Sequence, residues 1–118
     1  MSRQGVFYEE KAKEFLKRKG YRILKQNFSW RFGEIDLIAR DKGVTAFIEV
    51  KSRNQRAGYA PGEAVTHAKR KKIIRTAHVY CRQKGGGNYR FDVVSITQGD
   101  SWLVYQLTQN AFGADEVL

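Results

Sequence analysis

The sequence predicts an α/β domain in which helices pack on a mixed β-sheet, in the order αβββαββ. Three observations carry this reading. Apolar residues recur with helical spacing near the start of the chain and again after residue 66. The segments between and after them alternate with a period of two. A helix-length stretch also separates the third and fourth extended segments, the span that a crossover between parallel strands requires.

The first helix is expected from about Gly5 to Lys19. Lys17, Arg18 and Lys19 complement the negative end of its dipole, and Gly20 supplies the stop. Tyr21–Phe28, Gly33–Arg40 and Val44–Ser52 follow as strands, with Asp41-Lys42-Gly43 turning the chain between the second and third. Arg53–Val65, containing Gly58, Pro61 and Gly62, reads as a long mobile loop. Thr66 is placed to cap a second helix that runs to about Lys84, and Gly85-Gly86-Gly87-Asn88 ends it. Tyr89–Ile96 and Trp102–Leu107 complete the strands around a Gln98-Gly99-Asp100 turn, and Gly113–Leu118 is expected to fray.

The 118 residues fit one domain, 1–118. An apolar content of 42% suffices for a core, yet no run approaches the ~20 residues that span a bilayer. Met-Ser-Arg-Gln-Gly has no apolar signal region, and the single Cys81 excludes an internal disulfide or a cysteine zinc cluster. A cytoplasmic location without membrane contact is the expectation. Lys and Arg total 22 against 12 acids, a net charge of +10. A polyanion is the natural partner of such a surface, since each neutralised phosphate releases counterions.

The chemistry-bearing pattern lies in the second and third strands. Alternation puts Phe47, Glu49 and Lys51 on one face, with Ile48 and Val50 on the other. In the preceding strand Glu34, Asp36 and Ile38 share a face, and Ile35, Leu37 and Ala39 the opposite one. A register with Asp36 opposite Glu49 also sets Asp41 opposite Val44, leaving Lys42-Gly43 as a two-residue turn. Two facing carboxylates can hold one hard cation, Mg²⁺ or Mn²⁺, that keeps several waters. Lys51 is then placed to orient an attacking water or to offset charge on a phosphate. Taken alone, the pattern is also that of an ordinary cross-strand ion pair, which is the commoner occurrence.

The first helix adds Glu9. Tyr8, Ala12, Phe15 and Leu16 form its apolar stripe, and Glu9 falls about 20° from Leu16 at 100° per residue. Glu10 and Glu14 point to the lysine-rich side. A carboxylate at a buried face calls for a partner, either a metal site or an arginine. On the second helix Lys71, Lys72, Arg75, His78 and Arg82 form a basic stripe suited to phosphate contacts, or simply a solvated face. Lys69 and Arg70 fall on the arc of Ile73, Ala77 and Tyr80, where long stems either reach toward the carboxylates or snorkel to solvent. Phe28-Ser29-Trp30-Arg31-Phe32 interleaves aromatics with an arginine beside the acidic strand. Cys81 is read as packing, and Asp92 as the structural partner of an arginine.

These residues resemble the bacterial YraN family. The likeness rests on Gly33-Glu34-Ile35-Asp36-Leu37-Ile38-Ala39 and Phe47-Ile48-Glu49-Val50-Lys51-Ser52-Arg53. It extends to Glu9-x-x-Ala12 with Gly20-Tyr21, to Ala64-Val65-Thr66, and to Arg90-Phe91-Asp92-Val93-Val94. That family is similar in pattern to the PD-(D/E)xK nucleases, including the archaeal Holliday-junction resolvases. The resemblance implies a restriction-endonuclease-like fold, a nuclease core of Asp36, Glu49 and Lys51, and Glu9 as a further carboxylate from the helix. Three departures are visible: Tyr8 stands where glycine is frequent, Ile35 precedes Asp36 in place of proline, and Ser29 replaces a frequent basic residue. The expected function is Mg²⁺- or Mn²⁺-dependent cleavage of structured, branched DNA by a homodimer. Asp36 and Glu49 are the expected metal ligands, and Arg31, Arg53, Lys69, Lys71, Lys72 and Arg75 the nucleic-acid contacts. The alternative is a non-catalytic nucleic-acid-binding module that keeps the fold.

Overall fold

The computed structural model describes residues 3–31, 33–55 and 65–113. Among them are two helices and five strands: α1 (Arg3–Arg18), β1 (Arg22–Trp30), β2 (Gly33–Asp41), β3 (Val44–Asn54), α2 (His67–Lys84), β4 (Tyr89–Gln98) and β5 (Leu103–Phe112). The order αβββαββ is the one the periodicities predict.

The strands form one sheet in the order β1-β2-β3-β4-β5. All neighbours are antiparallel except β3 and β4, which run parallel and are connected through α2. β3 runs on to Asn54 because Arg53 and Asn54 still pair with Thr97 and Gln98 of β4. The expected loop therefore starts later than Arg53, and its residues 56–64 lie outside the described ones. β5 likewise continues past Leu107 to Phe112, since Phe112 is buried opposite Phe91. Of the expected frayed end, Gly113–Leu118, Gly113 is described and residues 114–118 lie outside the described ones.

Each helix covers one face of the sheet. Tyr8, Ala12 and Leu16 of α1 pack with Leu37, Ala39, Ala46, Ile48, Val94 and Ile96. Ile73, Ile74 and Ala77 of α2 pack with Ile35, Ile38, Phe47, Phe91 and Phe112 on the other face. Ile35 thus joins the α2 side, against strict alternation along β2. At the start of that strand the β2–β3 ladder ends at Leu37↔Ile48, and Gly33, Glu34 and Ile35 pair with β1 alone.

Local chemistry fixes three features that position the site. Lys42 (φ 49°) and Gly43 (φ 83°) both adopt left-handed conformations, as a two-residue hairpin turn of the primed type demands. This sets the register Asp41↔Val44 through Leu37↔Ile48. Thr66 caps α2, its Oγ1 accepting from Lys69 N at 3.2 Å. Gly33 lets α2 approach β2 closely, because a Cβ there would lie 3.1 Å from Lys72 Cβ.

Candidate metal and nucleic-acid site

Three neighbouring strands bring polar side chains into one row. Continuing the β2–β3 register by one step sets Asp36 opposite Glu49. In the β1–β2 register, Asn27 lies across from Asp36, between the pairs Gln26↔Leu37 and Phe28↔Ile35. In a regular antiparallel ladder the Val50 N–H would next meet a main-chain carbonyl of β2. Here it donates to Asp36 Oδ2 at 2.8 Å instead. The aspartate side chain takes over the role of the strand backbone just beyond the last ladder pair, Leu37↔Ile48.

α2 supplies a cation. Lys69 Nζ lies 2.6 Å from Glu49 Oε1, in a pair where Glu49 is 5% exposed and Lys69 46%. Burial works against the lysine's charge, but its contact with Glu49 and the fields of Asp36 and Glu34 outweigh this and hold its pKa above the usual value. Lys69, Lys72, Asp36, Glu49 and Glu34 line a cleft of about 480 Å³ between β2 and the start of α2.

α1 contributes from the opposite layer. Glu9 is buried at 7% exposure and lines an adjoining cleft with Asn27, Glu34 and Asp36. With its amide nitrogen turned toward the acids, Asn27 donates to both Glu9 Oε1 and Glu34 Oε1 at 3.0 Å. Asn27 holds this position at φ 54°, a left-handed conformation that asparagine tolerates better than most residues. Burial raises the Glu9 pKa, with Glu34 and Glu49 adding to the effect against the Asn27 hydrogen bond.

Among the described residues that line the two clefts, carboxylates outnumber lysines: Glu9, Glu34, Asp36 and Glu49 against Lys69 and Lys72. Asp36 shows the imbalance most clearly. Burial, and after it the charge of Glu49, raises its pKa to about 7 despite the Val50 N–H bond and Lys69. Among the described residues no group of three or more His, Cys, Asp and Glu is arranged to enclose an ion. Two carboxylates and an open cleft suit a cation that keeps most of its waters, as Mg²⁺ does. The donor chemistry fits a hard divalent ion held by Asp36 and Glu49.

The other expected site residues are spread more widely. Lys51 is half-buried two positions beyond Glu49 and pairs with Ser95 of β4. Arg53 is half-buried beside Thr97 on the same strand. Lys71 is half-buried on α2, whereas Lys72 and Arg75 are exposed. Arg31 is exposed in the β1–β2 connection, with its guanidinium 6.0 Å from the centre of the Trp30 ring. Asn27 escaped the sequence reading, and Glu34 figured in it only as a face neighbour of Asp36. The register that sets Asn27 near Asp36 follows a shift near Leu24 and a positive φ at Asn27, which the period-two pattern does not signal.

A model of the family described as "Uncharacterised protein family UPF0102" matches residues 8–96, which span every residue of this site. The chain belongs to the UPF0102 family. This is the YraN family that the motifs resemble. A UPF0102 protein of Symbiobacterium thermophilum is 48% identical over 118 residues, covering 97% of this chain and all of the relative. One from Persephonella marina is 41% identical, covering 91% and 90%. One from Clostridium botulinum is also 41% identical, covering 92% of each. The UPF0102 chain has no helix, among its described residues, long and apolar enough to cross a membrane.

Proposed function

We propose that this UPF0102 protein is a divalent-metal-dependent endonuclease that hydrolyses phosphodiester bonds in structured, branched DNA. The observation that carries the reading is the pair Asp36 and Glu49. They converge where the β2–β3 ladder ends, under enough mutual and burial stress to raise Asp36 to about 7. Such a pair gains most from a cation, and Mg²⁺ or Mn²⁺ is the hard ion that two carboxylates hold.

A bound ion would supply a water of lowered pKa and charge neutralisation at the phosphate. The chain's own residues do the rest. Asp36 and Glu49 hold the ion, and Asp36 is itself anchored by the Val50 N–H. Asn27 keeps Glu9 and Glu34 oriented at the rim, where Glu9 acts on the site through water. Lys51, on the Glu49 strand, orients the attacking group or the phosphate. Lys72, Lys71 and Arg75 on α2, with Arg31 and Arg53, attract the nucleic-acid backbone. A two-fold-symmetric junction calls for a two-fold protein, so the working form is a homodimer.

One observation favours the alternative of a non-catalytic nucleic-acid-binding module: Lys69 gives Glu49 a counter-charge at 2.6 Å. A single experiment separates the two readings. Duplex, flap, single-stranded and four-way-junction DNA are incubated with the protein and Mg²⁺ or Mn²⁺, beside Asp36→Asn. The nuclease reading expects metal-dependent products on at least the junction or flap, absent with the variant. No cleavage of any substrate, together with no calorimetric binding of either metal, overturns it in favour of the binding module.

A further inference from the structure

The lysine expected from the strand pattern is Lys51, yet the ammonium that touches a site carboxylate is Lys69 of α2. We propose that Lys69 is a resident counter-cation that competes with a divalent ion for Glu49, so that it sets the metal affinity of the site. The inference rests on the proposed metal site and adds a residue that gates it.

The argument starts from geometry. Lys69 lies in the first turn of α2, and its backbone N–H is held by Thr66 Oγ1. The helix is seated on β2 at Gly33, where little further approach is possible. Its stem therefore leaves a fixed point and ends on Glu49 Oε1 at 2.6 Å, in the cleft that Asp36 shares. A charge-assisted contact this short occupies the carboxylate oxygen it uses. A divalent ion that engages Glu49 must therefore displace the ammonium from Oε1 or bind against its positive field.

Displacement is feasible, since the Lys69 side chain is about half exposed and the cleft also opens onto Lys72. A freed ammonium remains beside the cleft, where a nucleic-acid phosphate is its natural new partner. Lys69 thus passes between two anions of the site. It neutralises Glu49 when the ion is absent and faces the phosphate when the ion is present. Its role is to position Glu49 and to set occupancy. Among the described residues, the lysine in contact with a site carboxylate is Lys69, while Lys51 lies two positions beyond Glu49 on β3.

The test is calorimetric titration of Mn²⁺ into the metal-free protein, comparing wild type, Lys69→Gln and Lys69→Arg. Thermal unfolding of each shows that all three are folded. Removing the competing charge should tighten Mn²⁺ binding roughly tenfold in Lys69→Gln, the order expected for one half-exposed charge at contact distance. Lys69→Arg keeps the charge and should bind like the wild type. A parallel loss of cleavage in Lys69→Gln despite tighter metal would agree with the phosphate-facing role. Equal or weaker Mn²⁺ binding by Lys69→Gln overturns the proposal while leaving the metal site standing. No Mn²⁺ binding by any of the three overturns the metal site and this inference with it.

Discussion

Two groups of acids are buried in the same sheet under opposite electrical conditions. On the α1 face, near the Lys42-Gly43 turn, Asp92 is fully buried and fully partnered. Its carboxylate accepts from Arg90 Nε at 3.0 Å, from the Tyr21 hydroxyl at 3.0 Å and from Asn110 N at 2.9 Å. Arg90 also reaches Asp41 and the Tyr21 hydroxyl, each at 2.7 Å, and Gln109 donates to that hydroxyl. Although burial disfavours the guanidinium charge, Asp92 and Asp41 more than restore it and raise its pKa. On the α2 face, at the other end of the hairpin, Asp36 and Glu49 share Lys69, with Glu9 and Glu34 close by. One cluster closes on itself and the other stays open to a partner. A buried carboxylate becomes a functional candidate through the shortage of matching charge around it, not through burial.

The largest effects should fall on the open cluster's function. Asp36→Asn is expected to lower metal affinity at least roughly 100-fold, the upper end of what losing even a ligand's supporting partner costs. Asp92→Asn should leave metal binding unchanged. Lys51→Ala should abolish cleavage while keeping the metal, because an ammonium is not a ligand. Calorimetry with Mn²⁺ and a cleavage time course measure both. Loss of metal in Lys51→Ala would move that residue into the binding set.

Stability should respond the other way round. Asp92→Ala removes the anion from a buried, hydrogen-bonded pair and is expected to cost about 3–5 kcal/mol. Asp36→Asn keeps an acceptor for the Val50 N–H and removes a stressed charge. The metal-free variant should therefore gain about 1 kcal/mol in urea unfolding at pH 7.5. Destabilisation by Asp36→Asn would show that the open cluster is no more stressed than the closed one.

A pH series sharpens the same contrast. The folded pKa of Asp36, about 7, lies above its ordinary value of 3.8. Between those values the folded protein holds the proton that the unfolded chain has released. Its contribution to stability is complete below the ordinary value and is lost as pH rises through about 7. Metal-free wild type should gain stability from this group on acidification from pH 8 toward 5, and Asp36→Asn should lose that component of the slope. Saturating Mn²⁺ should also suppress it, since a bound ion favours the ionised acid.

The smallest effect concerns the outer face of α2. Lys71→Glu with Arg75→Glu should weaken binding to every nucleic acid and flatten its salt dependence. Stability should change little, because surface substitutions away from special features usually fall within about 0.5 kcal/mol. Unchanged affinity in a binding titration would reduce that stripe to a solvated face.

Much of this arrangement can be read in the sequence. Val44–Val50 and Gly33–Ala39 carry period-two patterns, and the Lys42-Gly43 turn fixes how they align, so the Asp36–Glu49 pairing follows from local rules. Thr66 announces α2 as an N-cap. The inward position of Glu9 follows from the helical wheel. Less legible are contacts that depend on tertiary placement. Asn27 takes its place through a positive φ in mid-strand, after a register shift near Leu24 that no periodicity reports. Ile35 changes sides beyond the point where the β2–β3 ladder ends, and that end is a property of two strands together. The reach of Lys69 to Glu49 depends on how closely Gly33 admits the helix.

The hairpin turn has a consequence for how Asp36 and Glu49 are kept in alignment. Five ladder pairs separate the Lys42-Gly43 corner from the open end, and Asp36 stands about 17 Å from it at ~3.4 Å per residue. The chemical end has no main-chain rungs of its own to index one strand against the other. It inherits its indexing from the corner, as the teeth of a zip are matched by the pin at its base. A single residue inserted between Asp41 and Val44 would advance β3 by one tooth and present Ile48 or Val50 to Asp36 in place of Glu49. The acids would all survive such a change, and the site would still be dismantled from its far end.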